Sequence, residues 1–272
     1  VELERRIGDA IGRELRAHGG NLFGGVCINL LRHPAWGRAQ ETYGEDPFLL
    51  GEMGAALTRG VQHHNVVATP KHFAANSMEN ARFHIDVSMD ERTLREVYLR
   101  PFEIAVSEAA PWGLMGSYNR VNGTFACENR WLLTEVLRDE WGFDGIVVTD
   151  WFAAKSTAVM AGSGLDLEMP GAGRFYGPAL VAAVEAGEVD EALLDEAARR
   201  LLTLLERTGA FDEPFDRPEV ELDDPVHRAL ARRACVGSMV LYRNDGVLPF
   251  DAESIGTLAV IGPNAADAML MG

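Results

Sequence analysis

What is scarce in this sequence removes several classes of protein at once. Three cysteines occur in 272 residues; Cys27, Cys127 and Cys235 stand far apart, form no Cys-x-x-Cys pair and are odd in number. Neither a disulfide framework nor a cysteine zinc site is expected, and all three read as buried thiols. Basic residues are outnumbered, 25 Lys and Arg against 41 Asp and Glu, for a formal charge of -16. That charge repels a phosphate backbone, so nucleic acid is not an expected partner. No apolar run approaches the roughly 20 residues that span a bilayer, and the opening Val-Glu-Leu-Glu-Arg-Arg lacks a signal-peptide pattern. No membrane partner is expected and a cytoplasmic location is favoured; secretion stays open, because the chain starts without Met inside what reads as an amphipathic helix. No GxGxxG or GxxxxGK[ST] follows any apolar run, so phosphate-cradling loops are missing. No cofactor and no metal are expected.

What is present is a large apolar fraction, 47%, enough for one sizeable core. Short apolar runs at 25–28, 66–69, 113–117, 145–150 and 165–169 read as buried strands. Between them, helical spacing covers 48–62, 91–108, 130–141 and 177–187, each long enough to cross between parallel strands. Strands apolar throughout fit a parallel sheet covered by helices, either a (β/α) barrel or a doubly wound sheet. The missing phosphate loops favour the barrel. A helix over 190–208 has Asp190 as its N-cap, a stripe of Leu194, Ala197, Leu201 and Leu205, and Gly209 as its stop.

Residues 211–225 hold Pro214, Pro218, Pro225 and seven acidic residues, a linker composition. The expected organisation is therefore a barrel domain over 1–210, a linker over 211–225, and a second domain from 226. That second domain opens with a helix, a strand at 239–242, the turn Asn244-Asp245-Gly246 and a strand at 257–261.

In a barrel, functional side chains gather where strands end. Asp150 and Trp151 follow one strand, where Asp150 is equally readable as a helix cap. Lys71 and His72 follow another; Lys71 reads as a hydroxyl ligand, a surface ion pair or a Schiff-base nucleophile. Arg38 and Tyr118 lie after other strands and Arg82 in the loop downstream of Lys71, and each alone reads more readily as a loop-fixing ion pair or a core ring than as a functional residue. Together they would ring one carboxylate with donors, an arrangement suited to a sugar, whose oxocarbenium-like transition state needs an anion on one face.

Several long motifs resemble glycoside hydrolase family 3, in order along nearly the whole chain. They are Asn29-Leu30-Leu31-Arg32-His33-Pro34-Ala35-Trp36-Gly37-Arg38 with Glu41 and Gly44-Glu45-Asp46-Pro47; Lys71-His72-Phe73 with Asn76 and Arg82; Met115 to Gly123; Val148-Thr149-Asp150-Trp151; and Gly164 to Pro170. The resemblance implies a TIM-like (β/α)8-type barrel lacking its first element, followed by the start of an α/β sandwich domain, which residues 241–249 resemble. It implies Asp150 as nucleophile of a retaining β-glycosidase, Arg38, Lys71, His72, Arg82 and Tyr118 as sugar ligands, and Trp151 flanking the aglycone.

The family's first strand with its glycone-binding Asp, and the acid/base Glu of its β-glucosidases, are expected outside residues 1–272. The branch acting on N-acetylglucosaminides carries a Gly-His-Gly; Ala74-Ala75-Asn76-Ser77 stands here instead. The implied substrate is a terminal β-D-glucoside, with a β-xyloside as the alternative. The competing readings are an inactive or sugar-binding fragment and an aldolase using Lys71. Arg38, Lys71 and Arg82 are expected to hold Asp150 ionised.

Overall fold

The computed structural model describes residues 1–213 and 218–266, in two compact units, Val1–Ala231 and Arg232–Gly272. The first unit opens with α1 (Glu2–Ala17), β1 (Leu22–Phe23) and α2 (Pro47–Gln62). Asp46 caps α2 by accepting the Phe48 N–H at 2.9 Å, and Pro47 occupies the first turn, where its missing N–H costs nothing. There follow β2 (Val67–Ala68), β3 (Lys71–Phe73) and β4 (Asp86–Val87). The expected 91–108 helix is composite: α3 (Glu91–Thr93), a π-helical turn Leu94–Leu99, and α4 (Arg100–Ala109). Next come β5 (Gly113–Gly116), β6 (Arg120–Val121), β7 (Thr124–Phe125), a π-helix Trp131–Glu140 and β8 (Ile146–Thr149). Helices α5 (Ala158–Gly162), α6 (Pro178–Glu185), α7 (Glu191–Arg207) and α8 (Pro225–Ser238) complete the order. Asp190 caps α7 by accepting the Ala192 N–H, and Gly209 follows it with φ +71°.

The pairing is parallel where crossovers were expected. β1 pairs β2 (Leu22 opposite Val67), and β3, β5 and β8 form one sheet in that order, with Gly113 to Gly116 opposite Ile146 to Thr149. Alternate residues go to opposite faces: Ala68, Leu114 and Val147 enter the large core, while Val67, Met115, Ile146 and Val148 enter a second cluster with Leu204. Both faces are buried, which is why these strands read as continuous apolar runs. In the large core Phe73 packs edge-on against Phe102 and Trp141, centroids 5.0 and 5.9 Å apart.

In this unit two expected strands change, and one sheet is new. Residues 25–28 form no strand of their own: Val26 takes φ +74° and only Cys27 bridges, to Lys71. Pairing begins earlier, at Leu22. Residues 165–169 contribute one bridge, Leu167 to Val148. A small sheet, β4–β6–β7, was not expected at all; each of its strands is two residues long, too short for an alternation to register.

Among the described residues of the second unit, 239–242 and 257–261 are not strands. Tyr242 is 98% and Ile261 92% exposed, so these apolar runs have no neighbouring strand to pair with there. The Asn244 turn does form: its Oδ1 accepts the N–H groups of Gly246 and Leu248 at 3.2 and 3.1 Å. Of the expected linker, 214–217 lie outside the described residues, as do 267–272 of the expected second domain. Described residues of that linker pack on α1: Val220 donates to Ala17 O at 2.9 Å, and Asp224 accepts from Arg13 at 2.8 Å. Cys27 and Cys127 are buried as expected, whereas Cys235 is exposed.

Helices α1 and α2 meet backbone to backbone. A Cβ on Gly60 would come 2.1 Å from Arg5 O, and one on Gly12 2.7 Å from Val61 O, so only glycine permits this approach.

Candidate active site

β8 delivers Asp150 one residue past its end. The Asp150 N–H donates to Gly116 O (3.1 Å) on β5, and its C=O accepts from Ala153, closing a turn rather than a helix. α5 starts only at Ala158, so the helix-cap reading of Asp150 does not hold. Its carboxyl is nearly buried, 7% exposed for the residue. Oδ1 accepts the Trp151 N–H at 2.7 Å, and Oδ2 makes no hydrogen bond of ordinary geometry, the Tyr118 hydroxyl acting on the carboxyl only as a nearby, poorly aligned donor. A buried carboxylate oxygen without a donor is expensive, and such an atom needs a reason.

Lys71 and His72 do not follow a strand as expected; they lie within β3, since pairing resumes after Pro70 with Lys71 opposite Met115. His72 is 1% exposed and clamped by Asn29, whose Oδ1 accepts the His72 N–H at 2.8 Å and whose Nδ2 donates to His72 O at 2.9 Å. Arg38 Nη1 donates to His72 Nε2 at 2.9 Å. A guanidinium has no lone pair to offer, so Nε2 accepts, and Nδ1 carries the proton and donates to Asn29 Oδ1 at 3.1 Å. Burial, followed by Arg38, Lys71 and Arg82, drives the His72 titration well below the histidine range. The imidazole is neutral. Its Nε2 stands 3.3 Å from Asp150 Oδ2 but carries no proton to donate, so the contact does not satisfy that oxygen.

Arg38 is itself held in a two-pronged grip by Glu41, Nε to Oε1 and Nη2 to Oε2 each 2.7 Å, and Lys71 Nζ lies 3.8 Å from Glu41 Oε2. The hydrogen bond from Arg38 holds the Glu41 carboxyl below the usual range against the opposing effect of burial. Arg82 donates to Glu79 at 2.8 Å and lies 4.3 Å above the Tyr118 ring; Glu79 also accepts the Trp36 indole N–H at 3.0 Å. Burial and then the Asp150 carboxylate push the Tyr118 phenol above its ordinary range.

For Asp150, burial outweighs every opposing influence. The Trp151 N–H, the Tyr118 hydroxyl, Arg38 and Lys71 all favour the ionised form, yet the carboxyl titrates above the usual aspartate value. Arg38 and Lys71 act on Asp150 in the expected direction, toward the ionised form, while burial, which the sequence did not reveal, acts against them and is the larger effect.

Six of the seven expected residues thus form one electrostatic cluster: Asp150, His72, Arg38, Lys71, Arg82 and Tyr118. Trp151 stands beside them, 41% exposed. Asn29 and Glu41 were quoted in a family motif without a role and Glu79 was not named, although Glu41 and Glu79 sit three residues from Arg38 and Arg82, a spacing that signals local ion pairs.

Residues 1–204 match the glycosyl hydrolase family 3 N terminal domain. A beta-glucosidase from Rhizobium radiobacter is 49% identical over 271 residues, all of this chain and 33% of that protein; a probable beta-glucosidase J from Aspergillus fumigatus is 42% identical over 95% of this chain and 30% of its own length. The structure of beta-glucosidase 3B from Thermotoga neapolitana in complex with glucose superposes with a TM-score of 0.86 at 37% identity, covering 92% of this chain and 36% of that one. The chain spans about a third of the length of these relatives. With the family's N-terminal domain matched over residues 1–204, the chain belongs to glycoside hydrolase family 3.

Proposed function

We propose that this chain carries the nucleophile half of a retaining β-glucosidase, its strands belonging to a (β/α)8-type barrel and residues past α7 leading into a second domain. The unpaired Oδ2 of Asp150 is the observation that carries this reading. In the first step Oδ2 attacks the anomeric carbon, the bond to the aglycone oxygen breaks, and that oxygen takes a proton from a general acid. Water then attacks the glycosyl-enzyme, returning the carboxylate and releasing the sugar with retention.

Glu41 is poorly suited to be the acid, since Arg38 holds it ionised. The acid is a carboxyl outside these 272 residues. Arg38, Lys71 and Arg82 ligate sugar hydroxyls; Trp151 lines the aglycone side. Neutral His72 adds no charge beside the developing cation, and its unprotonated Nε2 is free to accept a hydroxyl proton if Arg38 turns to the sugar. Glucose as substrate rests on the relatives named beta-glucosidase and on that glucose complex. Lys71, paired with Glu41, offers no support for an aldolase.

The test is covalent trapping. A 2-deoxy-2-fluoroglucoside with an activated leaving group, applied to the chain in its whole-protein context, should leave one fluoroglucosyl group on the peptide containing Asp150. An adduct on Glu41 or Glu79, or none despite turnover of the parent glucoside, would falsify the assignment.

The pH profile follows from the same carboxyl. Attack requires ionised Asp150, so kcat/KM for an aryl glucoside should fall as pH drops through its raised titration. That acid limb should lie above the ~3.9 of an unperturbed aspartate. A limb at or below that value would show that burial does not control the group.

A further inference from the structure

Away from this cluster, where α1 crosses the end of α2, one carboxylate oxygen is shared by two imidazoles. Asp9 Oδ1 lies 2.7 Å from His63 Nδ1 and 3.0 Å from His64 Nε2, and the three ligand atoms fall within 4.8 Å of one another. Among the described residues this is the one group of three or more His, Cys, Asp or Glu side chains so arranged. The donors are two imidazole nitrogens and one carboxylate oxygen, the set that zinc and its first-row neighbours take.

We propose that Asp9, His63 and His64 form a surface site for a divalent transition-metal ion, zinc in the first instance, that clasps α1 to α2. Zinc at roughly 2.0 to 2.2 Å from each donor requires donors about 3.3 Å apart. The two Asp9 distances open by a few tenths of an ångström to reach it. The ion replaces the protons now shared with Asp9, leaving a fourth position for water. His63 is 71% exposed at its side chain and His64 25%, so the site has an entry path and one fixed wall.

The wall is unusually rigid. Gly8, Gly12 and Gly60 let the two helix backbones touch, and a Cβ on Gly12 would sit 3.2 Å from the His64 ring. Asp9 and His64 are therefore placed by helix contact and not by flexible loops, which lowers the ordering cost of ligation. The clasp has work to do, since α1 buries only Gly8, Ala10 and Gly12 of its sixteen residues.

The experiment is a calorimetric zinc titration of tag-free chain carrying Cys235→Ser, which removes the exposed thiol as a competitor. One ion should bind with a Kd at or below about 10 μM. At a hundredfold excess over Kd the Tm should rise by at least ~4 °C. His63→Ala and Asp9→Asn should each weaken binding tenfold or more; His63→Ala, on the exposed residue, should leave the zinc-free Tm within ~2 °C and so exclude misfolding as the cause. Equal affinity in both variants, or no binding below 100 μM in the parent, overturns the site.

Discussion

Asp150→Ala will lower turnover of an aryl β-glucoside by about 10⁴-fold or more in the whole protein, and azide will restore part of it. The removed carboxylate leaves a space beside His72 where a small anion can attack the anomeric carbon from the same side. The product is then a glucosyl azide of inverted configuration, because the second displacement never occurs. Retained activity without azide, or an azide product of unchanged configuration, would contradict the role. Asp150→Asn should be equally inactive yet more stable than the parent near neutral pH. Its amide keeps the Trp151 N–H contact and puts no charge in this buried position. Because the folded-state titration is raised, the native protein holds this proton more tightly than the unfolded chain. Its stability therefore declines as pH rises through that window, and the advantage of Asn should vanish at pH values below the ordinary aspartate titration.

The second large effect concerns stability. Asp166, 1% exposed at its side chain, accepts from Arg138 (2.6 Å) and the Val147 N–H (2.7 Å) through Oδ2, and from Arg200 (2.9 Å) through Oδ1. Asp166→Ala leaves two guanidinium groups facing each other and orphans a backbone donor on β8. Removing one partner of a buried ion pair costs about 3–5 kcal/mol. For a chain of this size that is roughly 6 °C or more in Tm by calorimetry. A loss below ~1 kcal/mol would mean that Arg138, which also donates to Gly145 O and Gly164 O at 3.1 Å, is satisfied without it. The change reaches the nucleophile through Val147, three residues before Asp150.

The β/α alternation was legible because the strands bury both faces, which writes continuous apolar runs into the sequence. Segment 25–28 misled for a local reason: Val26 is apolar and β-branched but takes a left-handed φ, which no periodicity reveals. The π-helical turns in 94–99 and 131–140 keep an apolar stripe close enough to 3.6 residues that they read as α-helix. At the site, residue types and motif order pointed to the cluster. Its electrostatics did not follow, since the extent to which the fold buries Asp150, the largest influence on its titration, is not written in the motif. Asn29 shows the same limit: 43 residues from His72 in sequence, it is linked to it only by the fold.

That Asn29 clamp has a spectroscopic consequence. The His72 Nδ1 proton is sealed from water and donated to an amide oxygen, so it should exchange slowly enough to give its own downfield proton resonance. Because Nε2 of the same ring faces Asp150 and Arg38, ligand arriving between them would shift that line. The molecule thus carries an internal NMR reporter of site occupancy that needs neither label nor turnover.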